Sequence, residues 1–463
     1  MYIKSQTFLV AGISRSGVSA AEFLLARGAK VFLYDDVTGG AVEKNQKELE
    51  KRGAKIISNS NLQTAIENSD VLVLSPGIPI DHEIAIAFKR AGKRIIGESE
   101  IGCKYLKSPM IAVTGTNGKT TTVTMIYEIL KLFGENAVAC GNIGLPITAV
   151  ADSEKYDIAI TEISSFQLET LTSICPHVAV ITNISEDHLS RHYNMDNYIF
   201  LKKKILRNMR ESEFAVLNYD DLTVRSFADG TKSKVKYFSI KESVDGAYLF
   251  EGGLYYCGEK IMDENQLSLK GKHNVQNALS AICACKLIGV NSETIKNALS
   301  NIKGIRHRIE FVKEVNGVSY VNDSKGTNVN ASVVAIESMQ SDTVLLLGGK
   351  DKGYDYDNLF SQIKKSRVIH AILYGENRFK LLNSAIKNGF SQITVCSDLH
   401  IAVKISALIS RKGQCVLLSP ASSSFDAFAN YEERGEEFEK IVNSLESEKG
   451  ENDCIDEVCE IGE

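Results

Sequence analysis

Short, almost wholly apolar runs alternate along the chain with longer stretches in which apolar and polar residues mix at helical spacing. Near the start FLVAG is followed by SAAEFLLARG, then KVFLYD, and later by DVLVLSPG and KRIIGE. The first kind of run predicts buried strands and the second amphipathic helices, so their alternation predicts parallel α/β units. A second series opens at PMIAVTGTNGKTT, continues through DIAITEISSF and HVAVITN, and carries a basic amphipathic helix from about Asn197 to Arg210. A third follows GIRHRIEFV, with strands expected at YVNDS, TVLLLGG, HAILYG, QITVC and CVLLSPAS. Boundaries near Gly97 and Lys303 divide the chain into residues 1–97, 98–302 and 303–445, with 446–463 a tail expected to be disordered. With six prolines and no low-complexity tether, the domains are expected to meet at short hinges.

Composition narrows the class. The 463 residues are 44% hydrophobic and 24% charged, with a net charge of −5, which suits several globular cores. From Glu446 onward eight acidic residues face Lys449 alone, a charge of −7, which leaves the body at +2. A nearly neutral body offers no broad basic face, so nucleic acid is excluded as a main partner. No apolar run approaches the roughly 18 residues of a membrane span, and MYIKSQTFLVAG lacks the features of a signal peptide. A cytoplasmic protein without a membrane partner is expected. The ten cysteines are scattered, with no CxxC pair, and are expected to be reduced and mostly buried; Cys454 and Cys459, in the acidic tail, are the expected exposed exceptions.

Four groups of residues carry candidate chemistry. AGISRSG, residues 11–17, lies between a strand and a helix, with Asp35 ending the next strand; it follows the G-x-G-x-x-G layout except that Ser14 replaces the middle glycine. A nicotinamide oxidoreductase, a nucleoside-diphosphate site on the helix N-terminus with Asp35, and a plain tight turn all remain open.

TGTNGKTTT, residues 114–122, also joins a strand to a helix. Backbone N–H groups of Gly115, Thr116, Asn117 and Gly118 can wrap an anion, Lys119 can reach β- and γ-phosphates, and Thr120, beside Thr121, can hold Mg²⁺. Val113 stands where a strict Walker loop has glycine, so this is a variant phosphate loop, with an incidental glycine-rich turn as the alternative.

Glu162 ends one strand and His188 follows another, both at the sheet edge where the phosphate loop emerges. Together they suit a metal–nucleotide site; singly, Glu162 could cap the helix opening at Ser164 and His188 could be an ordinary surface imidazole. Three lysines begin at Lys202, four residues after Tyr198, and their ordinary reading is a solvated face. The third series offers His307-Arg308, DSKGTN from Asp323 to Asn328, LLGGKDK ending at Lys352, and SPASSSFDAF from Ser419. Hydroxyls and fixed cations at strand ends suit a small anionic substrate such as an amino acid.

With these motifs in order, the chain resembles the Mur ligases through about Glu439. The resemblance is carried by TGTNGKTTT, GNIGLP, EISSFQLET, NISEDHL, HNVQNA, GIRHRIE, NDSKGTN and SPASSSFDAF, of which EISSFQLE points to the D-glutamate-adding member. It implies a three-domain α/β protein: an N-terminal Rossmann-like UDP-binding domain, a central P-loop ATPase-like domain and a C-terminal Rossmann-like domain. It also implies that Ser14, Arg15, Ser16, Asp35, Gly77 and Asn142 receive the UDP-sugar. ATP falls to Gly115–Thr121, Asn277, Arg308 and Asp323, and the catalytic residues are Lys119, Glu162, His188 and Lys202. Two Mg²⁺ sites fall to Thr120, Glu162, His188 and Lys202, the last carbamylated, with Lys203 the alternative one position on. Thr327, Lys352, Ser424 and Tyr431 take the incoming amino acid. Tyr431 stands where the family often carries phenylalanine, and Asp36-Val37 lack the hydroxyl and arginine found in some members. The implied activity is ATP-dependent addition of D-glutamate to UDP-N-acetylmuramoyl-L-alanine through an acyl phosphate, in cytoplasmic peptidoglycan precursor synthesis, by a monomer. A ligase for L-glutamate or another acidic amino acid, and a non-catalytic UDP-sugar-binding protein, are the alternatives.

Overall fold

The computed structural model describes residues 3–37, 39–302, 304, 306–351 and 353–445. Lys352, the tail 446–463 and with it Cys454 and Cys459 therefore lie outside the described residues. The chain forms two compact units, Met1–Ile302 and Lys303–Glu463.

The first unit holds two sheets. Five parallel strands, β1 (Thr7–Ala11), β2 (Lys30–Tyr34), β3 (Lys55–Ile56), β4 (Val71–Leu74) and β5 (Arg94–Ile96), are ordered β3-β2-β1-β4-β5. Their central strands are apolar throughout because both faces are covered. Phe8, Val10, Val71 and Val73 pack on one side with Phe23 and Leu24 of the helix Arg15–Ala26. Leu9, Ala11, Leu72 and Leu74 pack on the other with Ile84 and Phe88 of the helix Glu83–Arg90.

The second sheet comprises β6 (Met110–Thr114), β7 (Ala137–Gly141), β8 (Ile158–Glu162), β9 (Val178–Ile181), β10 (Phe214–Asn218), β11 (Lys234–Ser239), β12 (Gly246–Phe250), β13 (Gly253–Tyr256) and β14 (Glu259–Asp263). Its order is β14-β13-β12-β11-β10-β9-β6-β8-β7, parallel from β7 to β12 and closed by an antiparallel meander. Chain order reverses around β6, and the crevice outside the carboxyl ends of the strands at such a switch is where ligands bind in open α/β sheets.

The helix Glu98–Tyr105 puts Ile101 into the core of the first sheet and is anchored to the residues of the second by buried carboxylates. Glu98 accepts hydrogen bonds from Thr148 N (2.7 Å) and Thr148 Oγ1 (2.9 Å). Glu100 accepts from Thr172 N (2.7 Å) and Ser173 N (2.9 Å). Thr148 Oγ1 also lies 2.7 Å from Ser19 Oγ on the helix Arg15–Ala26, which ties residues on both sides of Gly97 together.

The second unit is a six-stranded sheet of β15 (Glu310–Val315), β16 (Val318–Asn322), β17 (Thr343–Gly348), β18 (Val368–Tyr374), β19 (Ile393–Val395) and β20 (Cys415–Leu418), ordered β15-β16-β20-β17-β18-β19 and parallel except at β15. Alternate residues again serve two cores, Leu345, Leu347 and Leu417 on one face, Val344, Leu346 and Val416 on the other.

Three sequence expectations change. The basic helix is α-helical only over Met195–Lys203 and tightens into a 3₁₀ turn over Lys204–Leu206, a common way for a helix to end. Residues 246–263 form an antiparallel meander with no counterpart in the apolar-run pattern. The eight described cysteines are free thiols, but Cys175 and Cys257 are exposed rather than buried, and Cys257 lies at a positive φ of 45° in the β13–β14 turn. No helix among the described residues is long and apolar enough to cross a membrane.

Candidate active site

The loop between β6 and the helix Lys119–Phe133 needs its two glycines. Gly115 has φ +140°, and a Cβ there would sit 2.0 Å from Thr182 Oγ1; Gly118 has φ +85°, and its Cβ would sit 2.3 Å from Asn277 Oδ1. Only glycine accepts both the backbone and the approach. Asn183, just past β9, takes two of the loop's donors: Thr116 N donates to its carbonyl (2.8 Å) and Asn117 N to its Oδ1 (2.9 Å). The anion cradle expected of four loop amides thus loses two of them and is left with Gly115, Gly118 and the opening turn of the helix, where N–H groups have no partner within the helix.

Lys119 Nζ donates to the carbonyls of Gly115 (2.9 Å) and Thr116 (2.7 Å), folding the side chain over the loop. Thr120 Oγ1 donates to Glu162 Oε2 (2.8 Å), and Asn142 Nδ2 to Glu162 Oε1 (2.7 Å). Glu162 is buried at the end of β8 and does not cap the next helix: Ser164 and Gln167 do that reciprocally. A hydroxyl and a carboxylate gathered beside a phosphate loop form a hard-oxygen pair that fits Mg²⁺. His188 adopts φ +55°, with its ring 4.7 Å from that of Phe166 and its Nε2 3.5 Å from Oδ2 of the buried Asp187.

Of the three consecutive lysines, Lys202 alone meets the loop. Its Nζ donates to Gly115 O (2.7 Å) and Thr114 Oγ1 (3.2 Å), and only 2% of the residue is exposed. Burial, and then the Lys119 charge, push its pKa well below the ordinary lysine value. Tyr198, one turn earlier, places its hydroxyl 3.0 Å from Thr116 Oγ1. Lys203 reaches instead toward Asp229 O (3.4 Å), and Lys204 toward Leu168 O and Glu169 O.

At the carboxyl edge of the five-stranded sheet, Asp35 braces the turn, accepting from Ile13 N (2.6 Å) and Val37 N (3.0 Å). Gly17 packs so closely that a Cβ would lie 1.9 Å from Gly12 O. Ser14 and Arg15 stand exposed on the rim with Ser16 half-buried beside them, and Gly77 is exposed in the turn after β4. Asn277 lies on the helix Lys272–Leu287, against Gly118.

In the second unit Asp323, buried at the end of β16, accepts from Ser419 Oγ (2.7 Å) and Ile309 N (3.3 Å). Burial raises its pKa to about 7, while Ser419 and the Arg308 charge pull the other way. Arg308 sits between two residues with left-handed backbones, His307 (φ 62°) and Ile309 (φ 46°). The Tyr431 hydroxyl accepts from Lys325 Nζ (3.1 Å), and the Tyr431 carbonyl from Ser324 Oγ (2.8 Å). Thr327 is half-buried in the same loop and Ser424 is buried after β20.

Asn183, Glu169, Arg191 and Arg434 contribute to these arrangements and were missed in the sequence. Asn183 opens the NISEDHL motif that also holds the flagged His188, Glu169 lies in EISSFQLET, and Arg191 follows NISEDHL by two residues, but nothing in their spacing marks a role.

Comparison with known proteins adds three results. The MurD-like N-terminal domain of Mur ligases matches residues 6–97, the Mur ligase middle domain 113–285, and the Mur ligase glutamate ligase domain 307–422. The chain is 39% identical over 453 residues to the UDP-N-acetylmuramoylalanine–D-glutamate ligase of Thermoanaerobacter sp. (strain X514), covering 96% of this chain and all of the relative. It is 38% identical over 452 residues to the enzyme of the same name from Clostridioides difficile (strain 630), again with 96% and 100% covered. Among solved structures, MurF from Acinetobacter baumannii aligns at a TM-score of 0.61 and 16% identity over 89% of this chain and 91% of that one. UDP-N-acetylmuramate–alanine ligase from Thermotoga maritima aligns at 0.60 and 17% identity over 95% and 99%. At such identity these two speak for the fold.

Proposed function

The chain belongs to the Mur ligase family, and from that premise we propose that it joins D-glutamate to UDP-N-acetylmuramoyl-L-alanine at the expense of ATP, in peptidoglycan precursor synthesis. The observation that carries the proposal is the convergence of Lys119, Glu162 and a buried Lys202 on one phosphate loop, in a chain 39% identical to a ligase of that name.

A carboxylate is a poor electrophile, so the alanine carboxylate must first be activated. Its oxygen takes the γ-phosphoryl group of ATP, ADP leaves, and an acyl phosphate forms. The glutamate amine then attacks the carbonyl carbon, the amine proton is lost, and inorganic phosphate departs as the amide forms. Lys119 and the amides at the helix opening stabilise the negative charge of the transferring group. Thr120, Glu162, His188 and Lys202 are the residues that would hold Mg²⁺, which when bound neutralises charge on the phosphates. A free lysine ammonium would repel a cation; the Lys202 amine, held toward its neutral form by burial, is suited to add CO₂, release a proton and present a carbamate.

In the same reading Ser14, Arg15, Ser16, Gly77 and Asn142 receive the UDP-sugar, with Asp35 shaping the turn that carries the serines. Asn277, Arg308 and Asp323 address the nucleotide. Thr327, Lys352, Ser424 and Tyr431 address glutamate, Lys352 on sequence grounds alone. A cytoplasmic monomer is part of the proposal.

The test is phosphate release from ATP with UDP-N-acetylmuramoyl-L-alanine and bicarbonate, comparing D-glutamate, L-glutamate and no amino acid. Release that requires D-glutamate supports the reading. Release with L-glutamate alone moves the specificity, and silence in all three overturns it.

A further inference from the structure

Arg191 is not needed for any step above, yet it is one of the most heavily engaged cations in the first unit. Its Nε donates to Glu169 Oε1 (2.9 Å) and its Nη2 to Glu169 Oε2 (2.5 Å), a bidentate pair whose carboxylate side chain is 3% exposed. Nη2 also donates to the carbonyl of Ile78 (2.9 Å) and, at longer range, to that of Pro76 (3.4 Å). The guanidinium carbon lies 5.1 Å from the centre of the Phe166 ring. Two residues on, the Tyr193 hydroxyl bonds Asp81. The segment after His188 therefore grips the turn after β4 at two points, across the two sheets of this unit.

The grip sets the direction of one amide. Among the described residues no peptide bond is cis, so the Pro76 carbonyl and the Gly77 N–H point opposite ways across one plane. With the carbonyl turned to Arg191, the Gly77 N–H is turned away from it. The Ile78 N–H closes the turn on Ser75 O (2.9 Å), whereas among the described residues nothing accepts the Gly77 N–H. Gly77 also has no positive φ, and a Cβ there would meet nothing within 4 Å, so neither strain nor crowding inside the chain calls for glycine.

We propose that Arg191 is a positioning residue for the UDP-sugar. By holding the carbonyls on either side of Gly77 it aims the Gly77 N–H at an anionic group of the substrate, a nucleoside diphosphate. The proposal rests on the reading that the turn around Gly77 receives the UDP-sugar. Lysine cannot replace arginine here, because one ammonium cannot span both carboxylate oxygens and both carbonyls in a fixed fork.

The experiment uses the full chain with Arg191→Lys, Gly77→Ala and the double variant Glu169→Gln/Arg191→Met, which leaves no buried carboxylate without its cation. Steady-state KM is measured for each of the three substrates, with UDP affinity by calorimetry and Tm as the folding control. Arg191→Lys and the double variant are expected to raise the UDP-sugar KM and weaken UDP binding tenfold or more, while KM for ATP and kcat stay within twofold. Gly77→Ala is expected to raise the same KM with Tm unchanged. If Gly77→Ala raises it and the Arg191 variants do not, or if they raise all three KM values together, the positioning role is overturned and the reading of the loop survives. If Gly77→Ala changes nothing, the loop does not face the substrate and both fall.

Discussion

Lys202 Nζ lies 2.7 Å from the Gly115 carbonyl oxygen, so a run of three consecutive lysines meets the proposed phosphate loop through only one of them. Lys203 points to Asp229 O and carries no such contact. Lys202→Ala is therefore expected to lower kcat by roughly 10²-fold or more, the scale of losing an electrostatic group at a transferring phosphoryl. Lys203→Ala should stay near the parent rate. Stripping CO₂ and bicarbonate from the assay should slow the parent and leave the residual rate of Lys202→Ala unchanged. Equal losses at both lysines would contradict the assignment.

Gly118 is held from two sides, by a left-handed backbone and by Asn277 Oδ1 at 2.3 Å from the position a Cβ would take. Gly118→Ala must strain the turn, at about 1–2 kcal/mol for the backbone alone, and push Asn277 aside. Affinity for a fluorescent ATP analogue should fall at least about tenfold, the equivalent of some 1.4 kcal/mol. Affinity for UDP-N-acetylmuramoyl-L-alanine should hold. Unchanged nucleotide binding would show that this glycine does not shape the phosphate site.

Much of the architecture was legible because a strand covered on both faces is written as an unbroken apolar run. FLVA, VLVL, MIAV and VAVI announce β1, β4, β6 and β9 without ambiguity. The meander over residues 246–263 escaped because its strands mix Tyr, Gly, Lys and Glu, and β13 and β14 are each buried over only part of their length. At the site, glycines and a lysine between a strand and a helix marked the tight loop proposed to hold phosphate, and the backbone there does require Gly115 and Gly118. Lys202 and Lys203 could not be separated by composition; only burial distinguishes them. Asn183 and Arg191 act through the carbonyls and amides of distant turns, a relationship that sequence spacing does not record.

Asp323 makes stability depend on pH in an unusual direction. Its carboxyl is raised from 3.8 to about 7, chiefly by burial, so across that window the folded chain holds a proton that the unfolded chain has lost. Its contribution to stability is thus fullest below about pH 4, falls as pH rises toward 7, and is flat above. Asp323→Asn removes the titration. The parent's Tm relative to that of Asp323→Asn should drop between pH 5 and pH 8, as read by calorimetry in matched buffers. A pH-independent difference would mean that Asp323 is not raised.

Arg434 is fully buried on the helix Tyr431–Ser444, and its nitrogens are engaged on fixed partners: Nε donates to Ser324 Oγ (3.0 Å), Nη1 to Ser422 O (3.0 Å) and Nη2 to Ser324 O (2.8 Å). Ser324 Oγ in turn donates to the Tyr431 carbonyl at the start of that helix, so one guanidinium ties the loop after β16, the loop after β20 and Tyr431 together. Arg434→Met keeps the bulk but leaves two buried carbonyls and a hydroxyl without their donors. Each such loss costs about 1–3 kcal/mol, so a destabilisation of at least about 3 kcal/mol in urea unfolding is expected. Arg434→Lys should recover only part of it, because one ammonium cannot reach both Ser422 and Ser324 in the arginine geometry. At temperatures where Arg434→Met remains folded, the KM for D-glutamate should rise more than that for UDP-N-acetylmuramoyl-L-alanine, since Arg434 restrains Tyr431, one of the residues proposed to receive glutamate. A parallel rise in both would show that Arg434 supports the fold without shaping the glutamate site.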